Sequence, residues 1–217
     1  MSDQLFDAMA QSIVDGEPEE AEALAKRAIA EGIDLLEAIN QGFVIGVNQV
    51  GAAFGCGEAY LPDLVLAGEA MKAAVAVLDP ELAKRGAKRQ TLGNVVVGTV
   101  KGDIHDIGKT LVATMLSASG YQVHDLGVDV PPEKFAHTAR EVEAVIVGVS
   151  ALLTTTMVNQ KSVIEALDDL GLRPKVKVMI GGAPVTRAFA DQIGADGFAE
   201  DAIRAVAEAK RILGAGA

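Results

Sequence analysis

The run from Asn94 to Thr110, NVVVGTVKGDIHDIGKT, constrains the fold more than any other stretch of the chain. A β-branched apolar stretch ends in a glycine turn, a loop carries Asp103, His105 and Asp106, and Gly108 then opens a helix. In an open α/β sheet, the loop at the carboxyl end of such a strand is where ligands bind. Further strands are expected at Gln122 to Leu126, Ala144 to Val149, Val176 to Ile180 and near Gly197-Phe198. Helices are expected near Lys109 to Ser119, Glu133 to Val142, Thr156 to Leu170, Val185 to Ile193 and Asp201 to Leu213. Five βα units with apolar strands imply an α/β flavodoxin-like, five-stranded parallel sheet covered on both faces. The strand order expected of that fold is 2-1-3-4-5, with its switch point between strands one and three, so the loops bearing His105 and Ser150 would flank the crevice.

The chain before this sheet follows a helical period. Leu5, Met9 and Ile13 share one face, and Ala21, Leu24, Ala28 and Ile29 share another after the acidic start at Pro18. A longer third helix from about Asp34 carries Ile39, Phe43, Val47, Val50 and Phe54, interrupted by Gly42, Gly46 and Gly51. Each interior glycine costs about 1 kcal/mol against alanine. Close approach by a neighbouring helix or by a flat ligand would account for them equally well. Gly55-Cys56-Gly57 breaks the helix, and a fourth begins at Pro62 with Leu61, Leu64, Gly68, Met71, Val75 and Leu78 on its face, stopped by Asp79-Pro80. Four helices with short turns imply an all-α four-helix bundle. The polar stretch Glu81 to Gln90 reads as a linker, which gives a helical domain over 1–88 and a sheet domain over 89–217.

Half of the 217 residues are apolar, ample for a packed core, yet no apolar run approaches the roughly 18 residues of a membrane span. The start, MSDQLFDAM, lacks the basic flank and apolar stretch of a signal peptide, and Cys56 is the single cysteine. A cytoplasmic protein is expected. The net charge of −11 argues against nucleic acid, whose phosphates need a basic surface, and suits charge-steered docking with a basic protein.

The first loop excludes several chemistries. Five residues separate Gly102 from Gly108 where a nucleotide-binding P-loop has four, and Asp103 and Asp106 would repel phosphate. A phosphate-accepting receiver domain needs an aspartate where this chain has Ser150. Zinc needs three or four ligands, and His124 and His137 fall on other elements. Two readings of His105 remain open. It is an imidazole offered to a metal already held by something else, with Asp103 fixing its tautomer, or it is a loop histidine in an ordinary hydrogen bond.

The motif does not stand alone. Asp103, His105 and Gly108 form Asp-x-His-x-x-Gly, Ser150 and Leu152 form Ser-x-Leu after the third strand, and Gly181-Gly182 follows the fourth. Together they resemble the cobalamin-binding domain family. Phe54 to Pro62 (FGCGEAYLP) with the following LVLAGEAMKAAV resembles the cap domain of corrinoid methyltransferases, including methionine synthase, and of small corrinoid proteins serving methylamine, methanol and methoxyl demethylation. The resemblance covers nearly the whole chain.

It implies cobalamin bound with its benzimidazole displaced and its nucleotide tail in the sheet domain, and His105 as the lower axial ligand of cobalt. Cofactor contacts are implied at Asp103, Asp106, Ile107 and Gly108, at Ser150, Leu152, Thr154 and Thr156, at Gly181, Gly182 and Ala183, and at Phe54 and Leu61 over the methyl-bearing face. Thr156 stands where some relatives place a serine in the histidine-aspartate relay.

The function so implied is methyl carriage on cobalamin, alternating between methylcobalamin and cob(I)alamin. The partners would be a substrate:corrinoid methyltransferase, a corrinoid:acceptor methyltransferase and a reductive activase. No catalytic residue and no activity alone are expected, and Lys84 to Gln90 would act as a hinge. Methylamines are the first choice of methyl donor. The alternative is a cobalamin-dependent sensor, which needs an output module, such as a DNA-binding one, that the bundle leaves no room for before Asp34. A carbon-skeleton mutase subunit would generally lack the bundle.

Overall fold

The computed structural model describes residues 2–85 and 91–214, and the chain divides into two compact units, Met1–Gln90 and Thr91–Ala217. The first is helical. Helices α1 (Ser2–Val14) and α2 (Pro18–Ala30) are followed by a rod made of α3 (Leu35–Glu37), a π-helical turn (Ala38–Phe43) and α4 (Val44–Gly55), then by α5 (Leu61–Lys84). Asp34 starts the rod by accepting from the amides of Leu36 and Glu37 at 2.9 and 3.0 Å, a cap worth about 1 kcal/mol. Leu5, Met9, Ile13, Phe43, Val47, Leu64, Met71 and Leu78 are buried between the helices.

Two of the rod glycines, Gly42 and Gly46, are explained inside this unit. A Cβ on Gly42 would stand 2.8 Å from Met9 Sδ, and one on Gly46 would run into the Ala10 carbonyl and stand 2.7 Å from Ile13 Cβ. Helix α1 therefore occupies the space of the missing side chains, and a flat ligand is not required there.

The structure corrects the end of α5. Pro80 lies inside the helix instead of stopping it, and the first residues of the expected linker are helical. Leu82 is buried, and Glu81 pairs with Lys84 and Arg85 at 3.4 and 3.2 Å, so packing and ion pairs hold the turn beyond the proline. The rest of that linker, residues 86–90, lies outside the described residues, as do the 88/89 boundary and most of the expected hinge.

The second unit alternates β1 (Asn94–Thr99), α6 (Ile107–Ala118), β2 (Gln122–Asp125), α7 (Pro132–Glu141), β3 (Ala144–Ser150), α8 (Asn159–Asp169), β4 (Lys177–Gly181), α9 (Arg187–Ile193), β5 (Gly197–Ala199) and α10 (Ala202–Ile212). All strands pair in parallel in the order β2-β1-β3-β4-β5, as the five-unit pattern predicts. Alternation along β1 sends Val95 and Val97 to a core with Leu116, Tyr121, Ile146 and Ala209. Val96 goes to the other face, with Phe135, Val147, Val163 and Leu167. Helix α8 begins at Asn159, three residues later than its apolar pattern suggests, because residues 151–158 form turns around Asp103. No described helix is long and apolar enough to cross a membrane.

Candidate functional site

Reversal of strand order between β1 and β3 brings two loops together at their carboxyl ends. The Val100 amide donates to the Ser150 carbonyl at 3.0 Å, so the two chains are still in register as they leave the sheet. Gly102, at φ +82, then turns the first loop back and drops the Asp103 side chain into the protein, fully buried.

That carboxylate is the centre of the site. Its Oδ1 accepts from the His105 amide at 3.1 Å and lies 2.6 Å from His105 Nδ1. Its Oδ2 accepts from the Thr156 hydroxyl at 2.6 Å and from the amides of Leu152 and Leu153 at 2.8 and 3.4 Å. Burial alone would push the carboxyl's pKa up. The hydrogen bonds from Thr156, His105 and the Leu152 amide outweigh it and hold the group well below the usual carboxylate range. Asp103 is thus an anion at neutral pH and can only accept, which puts the shared proton on Nδ1 and leaves Nε2 of a neutral ring with its lone pair free.

The imidazole is tethered from below and open above. Its side chain is 45% exposed, and no hydrogen bond to Nε2 occurs among the described residues. The loops around it expose large apolar side chains: Ile104 is 76% exposed and Ile107 74%, with Leu152, Leu153 and Val158 also bare. Bare isoleucines and leucines beside one nitrogen donor suit a large flat group with apolar faces better than a hydrated ion. Among the described residues, no three His, Cys, Asp or Glu side chains converge to hold a metal by themselves.

Gly108 fits the same group. A Cβ there would meet nothing within 4 Å and its φ is not positive, so no protein neighbour demands a glycine at this exposed position. Gly182 is different, at φ +126 with a Cβ that would run into the Ala151 carbonyl, and a Cβ on Gly181 would stand 2.9 Å from the Ala199 carbonyl. Those two glycines have reasons inside the protein, and the space next to them opens at exposed Ala183. Thr154 is exposed on the turn after β3, and Ser150 closes that strand opposite Thr99 and Gly181. Phe54 and Leu61 belong to the helical unit. Phe54 is half-buried near the end of α4, and Leu61 is 38% exposed at the first residue of α5, so it is not bundle core.

Several side chains that shape the loop escaped the sequence reading. Lys109, buried, pairs with Asp106 at 2.8 Å and with Asp125 at the end of β2. The Lys109 ammonium is what holds the Asp106 carboxyl below its ordinary range. Thr99 Oγ1 donates to the His105 carbonyl at 2.9 Å, and Asn159 Nδ2 donates to the Lys101 carbonyl at 2.8 Å. The three-residue spacing of Asp106 and Lys109 was a readable signal for an ion pair on a helix, whereas the other contacts depend on folding.

Comparison with known proteins places the site in context. Residues 93–207 match a B12 binding domain model, and residues 5–79 match a second B12 binding domain model. The dimethylamine corrinoid protein of Methanosarcina barkeri is 47% identical over 211 residues, 97% of this chain and 98% of that one. The trimethylamine corrinoid protein of the same organism is 47% identical over 203 residues, 94% of each chain. Among solved structures, the methanol:cobalamin methyltransferase complex of Methanosarcina barkeri holds a chain 31% identical to this one, with a TM-score of 0.88 over 100% of this chain and 82% of that one.

Proposed function

The chain belongs to the B12-binding corrinoid proteins of methyltransferase systems and its cofactor is cobalamin, and on that premise we propose that it carries a methyl group between two partner methyltransferases. The first partner takes the methyl from a methylated substrate, and the second passes it to an acceptor. The single observation that carries this reading is His105: Nδ1 fixed on the Asp103 anion, Nε2 open, and bare apolar residues on its own loop and on the loop after β3. Bound cobalamin supplies a cobalt centre that accepts and releases the methyl group.

The remaining work falls to the chain. His105 Nε2 would hold the cobalt, and Asp103, on Nδ1, would orient the ring and strengthen its donation. Thr156, donating to Asp103 Oδ2 at 2.6 Å, helps keep that carboxylate ionised and so able to accept from the ring. Ile107, Gly108, Leu152 and Thr154 would contact the corrin, and Ser150, Gly181, Gly182 and Ala183 would hold its nucleotide tail. On the helical unit, half-buried Phe54 and exposed Leu61 would offer apolar contacts to the corrin.

In this reading activation of the methyl donor belongs to a partner, supported by the solved methanol:cobalamin methyltransferase complex that holds a similar chain, and the chain alone would not turn over. A methylated amine is the proposed donor, supported by equal identity to proteins named for dimethylamine and trimethylamine. A reductive activase would be a third partner. The test is to load the protein with hydroxocobalamin, reduce it, and add dimethylamine or trimethylamine with and without the methyltransferase that copurifies with it. Methylation read by absorption is expected only with that partner. Sustained methyl transfer by the protein alone contradicts the carrier reading.

A further inference from the structure

The backbone between β1 and α6 is held from outside at almost every step, and one residue does so on both sides of Asp103. Asp129 Oδ1 accepts from the Gly102 amide at 2.7 Å, and the Asp129 amide donates to the Asp103 carbonyl at 2.9 Å. It stands in the loop after β2, which runs beside the end of β1 through the Val100–Val130 bridge. Its φ is +54, a left-handed conformation that aspartate tolerates better than most residues but that still costs energy. Strain of this kind persists where surrounding contacts over-determine it, and it concentrates at functional sites.

Geometry shows what the strain achieves. Gly102 turns at φ +82, and its amide would otherwise point at solvent from an exposed turn. Anchoring that amide and the Asp103 carbonyl to Asp129 fixes the peptide planes before Gly102 and after Asp103, and the plane between them is held by the Asp103 amide, which donates to the Val100 carbonyl at 3.1 Å. The direction of the Asp103 carboxylate, and through it the His105 ring, follows from those planes. Asp129 touches neither the imidazole nor its carboxylate.

We propose that Asp129 is a positioning residue for the axial histidine, acting through the Gly102 turn to aim the Asp103–His105 pair before cobalamin arrives. The inference rests on the reading of His105 as the cobalt ligand. A pre-aimed ring lowers the ordering cost of ligation, so the effect is read in cofactor affinity and in the fraction of bound pigment ligated by histidine.

Three variants separate the side-chain acceptor from the backbone conformation. Asp129→Asn keeps an acceptor oxygen and tolerates the left-handed region, Asp129→Gly removes the acceptor while relieving the strain, and Asp129→Ala removes the acceptor and keeps the strain. Hydroxocobalamin is titrated into each cobalamin-free protein, the absorption spectrum reports the axial ligand, and melting of the cobalamin-free protein reports stability. Asp129→Gly should melt at or above Asp129→Ala, because it relieves the strain, yet bind about tenfold more weakly than the parent, with a smaller histidine-ligated fraction, as loss of a hydrogen bond to a charged acceptor predicts. Asp129→Asn should bind within about threefold of the parent, since it retains an acceptor. Parent-like binding by Asp129→Gly, or affinity losses that simply follow melting temperature across the three, overturns the proposal. A His105→Ala control keeps the two claims apart: an unchanged spectrum there sinks the axial-ligand reading itself, whereas a changed one with parent-like Asp129→Gly sinks only the role of Asp129.

Discussion

Replacing Thr156 by valine removes one hydroxyl from the centre of the site and leaves its shape intact. In the parent that hydroxyl donates at 2.6 Å to Asp103 Oδ2, a buried ionised acceptor. Hydrogen bonds to charged groups contribute about 1.5–3 kcal/mol, and the Leu152 amide at 2.8 Å still serves the same oxygen, so a loss of about 2 kcal/mol is expected. Thr156→Ser keeps the donor and deletes only a methyl group, a loss of about 0.8 kcal/mol. The assay is urea unfolding of the cobalamin-free protein followed by tyrosine emission. Of the two tyrosines, Tyr121 is buried in the sheet unit and reports its unfolding, while Tyr60 is exposed. A valine variant as stable as the serine variant would refute the view that Thr156 stabilises the Asp103 anion.

Two glycines should respond oppositely. Gly46→Ala drives a Cβ against the Ala10 carbonyl and should destabilise the helical unit by about 1–3 kcal/mol in a thermal melt. Gly108→Ala meets no protein atom within 4 Å, so the melt should be unchanged or raised while hydroxocobalamin binding weakens several-fold; unaltered binding would remove Gly108 from the cofactor surface. Acid stability has its own reporter in Glu208, whose carboxyl is held down to about 2 from 4.5 by Arg211, with help from Arg187 and the Phe198 amide, against the effect of burial. A depressed folded-state pKa gives stability that is present above about 4.5 and lost as pH falls toward 2, at most about 3 kcal/mol here. Glu208→Gln should therefore flatten stability against pH across that window in acid titrations followed by circular dichroism.

What the sequence reveals depends on how local the cause is. The strand at Asn94–Thr99 was legible to the residue because its β-branched run ends in a glycine turn, and strand order followed from counting βα units. Pro80 misled because a proline stops a helix only when nothing beyond it packs, and Leu82 does. Gly42 and Gly46 were ambiguous because the neighbour that needs their space, α1, lies some thirty residues earlier in the chain. At the site, Asp103 and His105 declare themselves by spacing. Their supports do not: Thr99, Asp129 and Asn159 are ordinary polar residues until the sheet brings them to the loop. Thr156 was identified by position in a motif, and only its 2.6 Å contact says which atom it serves.

The central claim is that His105 Nε2 is the axial nitrogen on cobalt. It is tested most directly by electron paramagnetic resonance of the protein loaded with cobalamin in the paramagnetic Co(II) state, prepared with histidine of natural abundance and with histidine labelled with nitrogen-15. The account predicts that labelling converts the axial nitrogen triplet into a doublet, and that the sensitivity to label disappears in His105→Ala but not when His124 or His137 is replaced. A triplet indifferent to the label would mean that the nitrogen on cobalt comes from the cofactor's own base and not from this chain.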